Sequence, residues 1–361
     1  MPEQRTPNDR KQHLYLVFDD WEFGYSVRKV SLSRRSGKRA EQTLSSDSSD
    51  GAGAEPLPVF MRISAPRGFP DFFTSAFGTK IMATLTGPAD DVDDDGIMDI
   101  PTIDVQDKTL VSGIASSCLA VPIYFPVSDD RLFALDFGTF EILQKPKHKE
   151  PWMWQNLTYP PFARADATSY GVHPDGSILV STKSGTTFIF DTNEYEYVWK
   201  LYGGWAFPFT GHGYYDTSLD GFVGLSKDSE KLGYLYCCNM ANTMADDTGK
   251  RLHPSPDIKH VSATLLHMRP GRFCLVECVC IDSGMTDQKL REPYVNPKFM
   301  ERGFEGGGPQ SCRVMCQLKT FSLTYDTKGD LKLRHCRVRC YRLPHEARIG
   351  SICQDPAAFW L

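Results

Sequence analysis

The sequence lacks three features that would place the protein in a membrane, outside the cell or on nucleic acid. It contains no run of about 18 apolar residues, so no helix is expected to span a bilayer. Its first residues, MPEQRTPNDRKQ, have no apolar core of the kind that a secretion signal needs. Lys and Arg number 40 against 45 Asp and Glu, a formal charge of -5, whereas a nucleic-acid-binding domain is basic. We expect an intracellular protein of the cytoplasm or nucleus, not secreted, with no nucleic-acid or membrane partner.

Motifs of the common catalytic and phosphate-binding sites are also missing. There is no G-x-S-x-G, no G-x-x-x-x-G-K-[ST] and no G-x-G-x-x-G, and His345-Glu346 lacks the second histidine of H-E-x-x-H. We assign no catalytic, cofactor-binding or metal-binding residue and expect no cofactor. His212 is the best pocket candidate, although a structural role is favoured for it and for His173. The aromatic residues near His212 in sequence are Trp205, Phe207, Phe209, Tyr214 and Tyr215.

Long helical periodicity is absent, and short apolar runs alternate with turn residues, which indicates an all-β fold. A polar turn followed by an apolar strand recurs as FGTKIMAT (77–84), DDRLFALD (129–136), PDGSILVS (174–181), LDGFVGLS (219–226) and PGRFCLVE (270–277). Equivalent positions are spaced by 52, 45, 45 and 51 residues. HLYLVFDD (13–20) is a candidate sixth copy. A period of this length is typical of propeller blades.

Most copies of the repeat are followed by a second strand. The six segments are YSVRKVSL, PTIDVQDKTL, GTFEILQK, TTFIFDTN, GYLYCCNM and KTFSLTYD. We predict a single β-propeller with six blades of antiparallel strands; five or seven remain open because the interval 20–68 is ambiguous. Closing the ring requires N- and C-terminal strands in one blade, and we expect the N-terminal strands to join the blade that contains 312–343. A change of apolar parity near Arg334–His335 predicts a bulge.

The predicted domain organisation is a disordered N-terminus (1–12), a propeller (13–344) and a C-terminal tail (345–361) that is irregular and packs on the body. Within the propeller, residues 33–57 lack apolar anchors and are expected to be disordered. Residues 87–99 form an acidic loop, and 282–311 form a long insertion.

The 11 cysteines are an odd number, and we expect reduced thiols. Three pairs have four-residue spacing: Cys274 with Cys278, Cys312 with Cys316, and Cys336 with Cys340. Residues four apart on a strand lie about 13 Å from each other, too far to share a zinc ion. Small buried apolar side chains are therefore the favoured interpretation, with a zinc site formed across strands as the alternative.

Three charged segments and four tryptophans have two interpretations each. Residues 91–96 match the first half of a calcium-binding EF-hand loop, but Thr102 replaces the closing Glu, so a solvated acidic loop is favoured. A basic cluster (Arg34, Arg35, Lys38, Arg39) is either a linker or a nuclear-import signal. A basic stripe (Lys332, Arg334, Arg337, Arg339, Arg342) either protects an edge strand or binds an acidic partner.

The tryptophans Trp152, Trp154, Trp199 and Trp205 are expected to pack between blades, with an aromatic binding mouth as the alternative.

Four long strings carry a resemblance: TSYGVHPDGSILVST, FIFDTNEYEYVWKLYGGWAFPFTGHGYYDTSLDGFVGLS, HVSATLLHMRPGRFCLVE and KTFSLTYDTKGDLKLRHCRVRCYRLP. Over residues 13–344 the chain resembles a plant family, expanded in cereals, that is known only as domain of unknown function 1668. The resemblance implies a kelch-like propeller with no assigned activity and no site residues. The chain departs from kelch repeats, because paired glycines occur once, at Gly203-Gly204.

These observations favour a β-propeller that acts as a binding module and recognises a protein or peptide through loops on one face. We expect a monomer. The alternatives are an enzyme with its active site at the axial mouth, a thiol- or metal-binding protein, and a degenerate family member without selected activity. An enzyme would be indicated by two or more His, Asp or Glu side chains that converge on the channel.

Overall fold

The computed structural model describes residues 12–21, 24–32, 57–64, 72–84, 99–115, 121–145, 152–193, 197–226, 234–240, 250–251, 259–280, 314–343 and 356–361. These residues form an all-β fold of 24 strands, and the helical part of the described chain is one 3-10 turn at Arg164–Asp166. Within the same ranges, no helix is long and apolar enough to cross a membrane.

The described strands form four sheets of four strands and one sheet of eight, in which a parallel pair joins two groups of four. We call these six groups units 1 to 6. Unit 1 contains β1 (Leu14–Trp21), β2 (Gly24–Val30), β3 (Val59–Ser64) and β24 (Ala357–Trp360). Unit 2 contains β4 (Phe72–Ala76), β5 (Lys80–Thr84), β6 (Asp99–Asp104) and β7 (Thr109–Ala115). Unit 3 contains β8 (Ile123–Ser128), β9 (Arg131–Asp136), β10 (Thr139–Gln144) and β11 (Trp154–Asn156).

Unit 4 contains β12 (Ala167–Val172), β13 (Ile178–Thr182), β14 (Thr187–Phe190) and β15 (Trp199–Gly203). Unit 5 contains β16 (Gly211–Asp216), β17 (Gly221–Leu225), β18 (Tyr234–Cys238) and β19 (Lys250–Arg251). Unit 6 contains β20 (Lys259–Arg269), β21 (Arg272–Cys280), β22 (Val314–Tyr325) and β23 (Leu331–Arg342). Strands within a unit pair antiparallel in chain order, except that β24 precedes β1 in unit 1. We call the strand at that end of each unit its leading strand: β24, β4, β8, β12, β16 and β20.

The predicted two-strand repeat corresponds to the two central strands of every unit. The pairs are β1–β2, β5–β6, β9–β10, β13–β14, β17–β18 and β21–β22. Central strands are buried from both sides and have strong apolar patterns; β13 and β17, for example, are buried throughout. One segment was predicted incorrectly, because 101–110 is not a single strand: it turns at 105–108 and continues into β7.

The outer strands of the units were mostly missed by the sequence pattern. Leading strands such as β16 combine glycine with polar aromatics, and fourth strands can be as short as two residues in β19. The leading strand β16 and the fourth strand β19 thus lack the apolar alternation that marks a half-buried strand.

Unit 1 contains both ends of the described chain. Leu14 of β1 opposes Trp360 of β24, and the backbone of His13 exchanges two hydrogen bonds with that of Leu361. The N-terminal strands therefore pair with 357–360 and not, as expected, with the unit that contains 312–343. The tail predicted to be irregular ends in a strand because its apolar residues, Ala358 and Phe359, enter the core.

The predicted bulge is confirmed in β23. Arg334 opposes Ser322 and Arg337 opposes Thr320, so His335 and Cys336 together face the single residue Phe321. His335 has a φ of 54°, in the left-handed region. Because β23 ends the sheet order, the basic stripe lies on an edge strand.

Six apolar clusters lie between the units, each joining two of them. Unit 1 packs on unit 2 through Val27 and Ile81, and unit 2 on unit 3 through Met82 and Leu132. The other four junctions include Phe140 with Phe190 (units 3 and 4), Leu179 with Phe222 (4 and 5), Val223 with Phe273 (5 and 6), and Val276 with Leu16 (6 and 1). Every unit thus buries both faces, which one four-stranded sheet cannot do alone.

The predicted tryptophan packing is confirmed by these clusters. Trp152 and Trp154 pack between units 2 and 3, Trp199 between units 3 and 4, and Trp205 between units 4 and 5. Leu57 is buried in the cluster between units 6 and 1, so the end of the segment 33–57 does have an apolar anchor. The rest of that segment, most of 1–12 and of 87–99, and all of 282–311 lie outside the described residues.

Candidate functional site

A glycine, Gly171, allows the leading strands of units 4 and 5 to pair closely. In the parallel pair β12–β16, Gly171 is registered with Gly213 and Tyr170 with His212. A Cβ atom on Gly171 would lie 2.7 Å from the carbonyl oxygen of Gly213, a distance that backbone atoms cannot accommodate. Because Gly171 has no side chain, the two strands come close there. At the neighbouring register the rings of Tyr170 and His212 stack with centroids 5.4 Å apart and planes inclined by 12°.

His212 is the centre of a row of rings that crosses the leading strands. Tyr214 contacts it with ring centroids 4.2 Å apart, and the ring of His267 on β20 lies 6.4 Å from that of Tyr214. Tyr170 in turn contacts Phe125 of β8. We call Tyr170, His212, Tyr214 and His267 the His–Tyr cluster. It brings together side chains from units 4, 5 and 6.

The environment of His212 keeps its imidazole neutral. Burial lowers its pKa to about 4, because a charged ring would lose hydration that nothing nearby replaces. The same cause raises the pKa of the Tyr214 phenol. Both side chains nevertheless retain some solvent exposure. Within the described residues they make ring contacts and no hydrogen bond, so their polar atoms are available to a bound molecule.

A buried carboxylate holds His267 in place. Asp216, at the end of β16, is fully buried, and its Oδ2 lies 2.9 Å from Nε2 of His267. The same oxygen accepts a hydrogen bond from the backbone N–H of Gly271, and Oδ1 accepts from Ser218 and from the N–H of Leu219. Burial alone would raise the pKa of Asp216, but these donors outweigh it and lower the pKa. Asp216 therefore joins units 5 and 6 and orients the imidazole.

The aromatic residues predicted around His212 are divided between site and core. Tyr214 belongs to the His–Tyr cluster, whereas Phe207 and Phe209 are buried and stacked 4.9 Å apart. Phe209 occupies the space over two glycines: a Cβ atom on Gly213 or Gly224 would lie 2.3 or 2.1 Å from its ring. Phe207 and Phe209 therefore pack in the core beneath β16 and are not part of the His–Tyr cluster.

Tyr215 of β16 and His173, which directly follows β12, form a separate contact. Their rings meet edge to face with centroids 4.7 Å apart, and His173 Nδ1 lies 3.0 Å from Oδ1 of Asp175. Tyr215 donates a hydrogen bond to Asp220, which raises the pKa of the phenol to about 12. Asp175 also accepts from the N–H of Ser177, as an aspartate does in a hairpin turn. His173 therefore has the structural role that was predicted.

The cysteines follow the prediction in part. Cys274, Cys278 and Cys316 are buried between units 6 and 1, and Cys278 directly opposes Cys316 across β21 and β22. Cys336, in the bulge, is exposed, which contradicts its prediction as a buried side chain, and Cys340 is partly buried. In the part of the chain that the structure describes, no group of three or more His, Cys, Asp or Glu side chains is arranged to hold a metal ion. Cys312, the calcium-like segment 91–96 and the basic cluster 34–39 lie outside it.

Sequence analysis identified His212 but missed Tyr170, His267 and Asp216. One signal was available: an aromatic ring followed by glycine occurs at Tyr170-Gly171 and again at His212-Gly213. That pattern places a ring beside a position where two backbones approach. His267 and Asp216 had no such signal, because their contact depends on the packing of unit 5 against unit 6.

Comparisons with known proteins give similar solved structures and a family. Over 90% of this chain and 98% of the other, the fold is similar to Hsv2 of Kluyveromyces marxianus, with a TM-score of 0.42 and 8% identity. Hsv2p of Kluyveromyces lactis matches over 91% and 99% of the two chains, with a TM-score of 0.38 and 10% identity. No curated protein matches in sequence. A family model does match residues 11–341, and the chain belongs to that family, described as a protein of unknown function (DUF1668).

Proposed function

We propose that the six units form a closed six-bladed β-propeller that serves as a binding module for a protein or peptide. The ring is supported by the leading strands, because each contacts the next: β24 with β4, β4 with β8, β8 with β12, β12 with β16, β16 with β20, and β20 with β24. It is supported also by the six apolar clusters, the last of which joins unit 6 to unit 1. A kelch-like character and an intracellular location remain predictions.

The observation that carries the binding role is the pair of open polar side chains at the leading strands. His212 offers a neutral imidazole and Tyr214 a hydroxyl, both without a hydrogen-bond partner among the described residues, between ring faces that can contact an apolar group. Such a site favours a partner side chain with an apolar body and an uncharged polar tip, because the site supplies no counter-charge. Aromatic rings and a few uncommitted polar groups that are held on paired strands suit recognition, because little ordering is needed on binding.

The order of the strands supports recognition on the face of the proposed ring at which the predicted loops begin and end. Segments 85–98 and 281–313 connect the second strand of a unit to the third, and 204–210 connects a fourth strand to the next leading strand. In an antiparallel unit these two kinds of connection leave from the same end. The ends of the described strands that flank 85–98, 281–313 and 204–210 therefore lie on one face of the proposed ring.

Selection from a random peptide library on the immobilised protein tests this proposal. We expect an enriched consensus whose affinity falls at least tenfold in His212→Ala and is unchanged in His335→Asn, a variant of an exposed histidine. Scrambling 87–99 or 282–311 should also weaken binding. Equal enrichment on heat-denatured protein, or equal affinity for the His212→Ala variant, would count against the proposal.

A second candidate function, an enzyme, is favoured by the contact between Asp216 and His267. A buried carboxylate that orients a partly exposed imidazole is the arrangement of a general base and its positioning group. An enzymatic activity of this protein should be lost in His267→Ala and kept in His335→Asn. Screening esters, phosphate esters and glycosides with these two variants distinguishes the hypotheses, since a binding module turns over none of them.

A further inference from the structure

The basic stripe on β23 presents its charges on one face of the strand. Arg334, Arg337 and Arg339 oppose Ser322, Thr320 and Leu318, which are alternate residues of β22 and so share a face. The bulge at His335 and Cys336 makes this possible. Without the extra residue, Arg337 and Arg339 would point to the opposite face from Arg334.

The three arginines therefore occupy regularly spaced backbone positions. Successive positions on one face of a strand are about 7 Å apart, so the row covers about 14 Å. An extended peptide repeats its own same-side positions at the same interval. Carboxylates at alternate positions of such a peptide can each meet one arginine, and a guanidinium binds a carboxylate with two parallel hydrogen bonds.

The row has no compensating negative charge in the described residues. Neither Arg334 nor Arg337 contacts a carboxylate there, and both are exposed. Arg339 donates to the backbone carbonyl of Ser31, which leaves its charge unpaired. Lys332, by contrast, lies within 3.2 Å of Asp326 and 3.4 Å of Asp330. A local excess of positive charge in a chain of net charge -5 attracts acidic partners.

Edge protection explains part of this arrangement. A bulge and one charged residue are enough to discourage edge-to-edge pairing. They do not require three arginines on one face, where the like charges repel each other at a spacing of about 7 Å. Edge protection does not explain why the three arginines share one face of the strand.

We infer that the row of Arg334, Arg337 and Arg339 is a docking surface for an acidic segment of a protein partner, bound in an extended conformation with carboxylates at alternate positions. The charges and their interval select this occupant. The surface is separate from the His–Tyr cluster, and it functions whether or not that cluster binds a ligand.

Fluorescence anisotropy with three labelled probes tests the inference. The probes are an alternating peptide (Glu-Val-Glu-Thr-Glu-Val), a peptide of the same composition with its three glutamates adjacent, and a ten-nucleotide oligothymidylate. We expect the alternating peptide to bind tightest. The double variant R334E/R337E should lose at least tenfold affinity for it, while the control K183E/R269E, made at two exposed positions elsewhere, stays within twofold of the parent protein.

Three results would overturn the inference. These are no binding of the alternating peptide, equal affinity for the two peptides, or tighter binding of the oligothymidylate, which would assign the surface to nucleic acid. Circular dichroism verifies that R334E/R337E is folded, and a Lys-Val-Lys-Thr-Lys-Val peptide should bind this variant. His212→Ala should leave the anisotropy of the alternating peptide unchanged. The inference about the docking surface and the proposed function of the His–Tyr cluster are therefore tested independently.

Discussion

Tyr170 and His212 are registered partners in the parallel pair that joins units 4 and 5, and their rings stack at an inclination of 12°. The next residue on β12, Gly171, has no side chain, and a Cβ atom there would lie 2.7 Å from the carbonyl oxygen of Gly213 on β16. The close pairing that brings the two rings together therefore depends on this glycine. A strand junction thus produces the candidate site.

Replacing Gly171 with alanine should destabilise the protein by about 1–3 kcal/mol, because the new methyl group meets the carbonyl of Gly213 and the ring of Phe222. Urea unfolding measures this. Gly204→Ala is the matched control, since a Cβ atom there meets nothing within 4 Å. Equal stability of the two variants would show that the strands are not closely paired.

His212 should make stability depend on pH in a defined window. The unfolded side chain takes up a proton near pH 6.5, whereas the folded one does so only near pH 4. Between these values the unfolded state holds more protons, so the free energy of unfolding falls as the pH falls, by up to about 3 kcal/mol. Urea unfolding from pH 7 to pH 4 should show this loss in the parent protein and a smaller loss in His212→Phe, which keeps the ring stack. His335→Asn should behave like the parent; a His212→Phe curve parallel to the parent's would contradict the assignment.

Asp216→Asn should destabilise the protein by about 3 kcal/mol. One amide oxygen cannot replace two carboxylate oxygens that accept from Ser218, Leu219, Gly271 and His267 inside the protein. Because the pKa of Asp216 is lowered on folding, its contribution is present above about pH 4 and is lost at more acidic pH. Asp130→Asn, at an exposed position, should change the free energy of unfolding by less than about 0.5 kcal/mol. Matching losses in both variants would refute the structural role of Asp216.

The cysteines should differ in reactivity according to burial. Burial raises the pKa of Cys274 to about 12 and that of Cys316 well above its ordinary value, so neither forms an accessible thiolate in the folded protein. A pulse of iodoacetamide at pH 8 should label exposed Cys336. Cys274 and Cys316 should be alkylated at least ~100-fold more slowly until urea unfolds the protein. Mass spectrometry of tryptic peptides gives each rate. Native labelling of Cys316 at the rate of Cys336 would contradict the packing of units 6 and 1.

Removing 356–361 should lower the melting temperature by at least ~10 °C or prevent folding. The deletion exposes the edge of β1, removes Ala358 and Phe359 from two clusters, and removes the carbonyl of Pro356 that accepts from Thr264 of unit 6. Adding a synthetic peptide of 356–361 should restore part of the loss. An unchanged melting temperature would mean that β24 does not close the proposed ring.

The sequence predicted strands that are buried on both faces, and it predicted a bulge where a local pattern requires one. The central strands of every unit were predicted from turn-strand repeats, and the bulge was predicted from the parity change between Leu333 and Val338. The partner of the N-terminal strands was predicted incorrectly. The four residues 357–360 are too few to register as a strand, and only pairing with β1 makes them one.

By itself, the amino-acid sequence determined the all-β class, the central strand pairs and the edge bulge, because burial period and turn chemistry are local properties of the chain. The tertiary structure alone decided which strands flank those pairs, which strand completes unit 1, and that Tyr170, His212, Tyr214 and His267 meet. These residues are up to 97 positions apart in the chain. Their contact follows from the packing of one unit on the next, a relation between distant segments that no local pattern encodes.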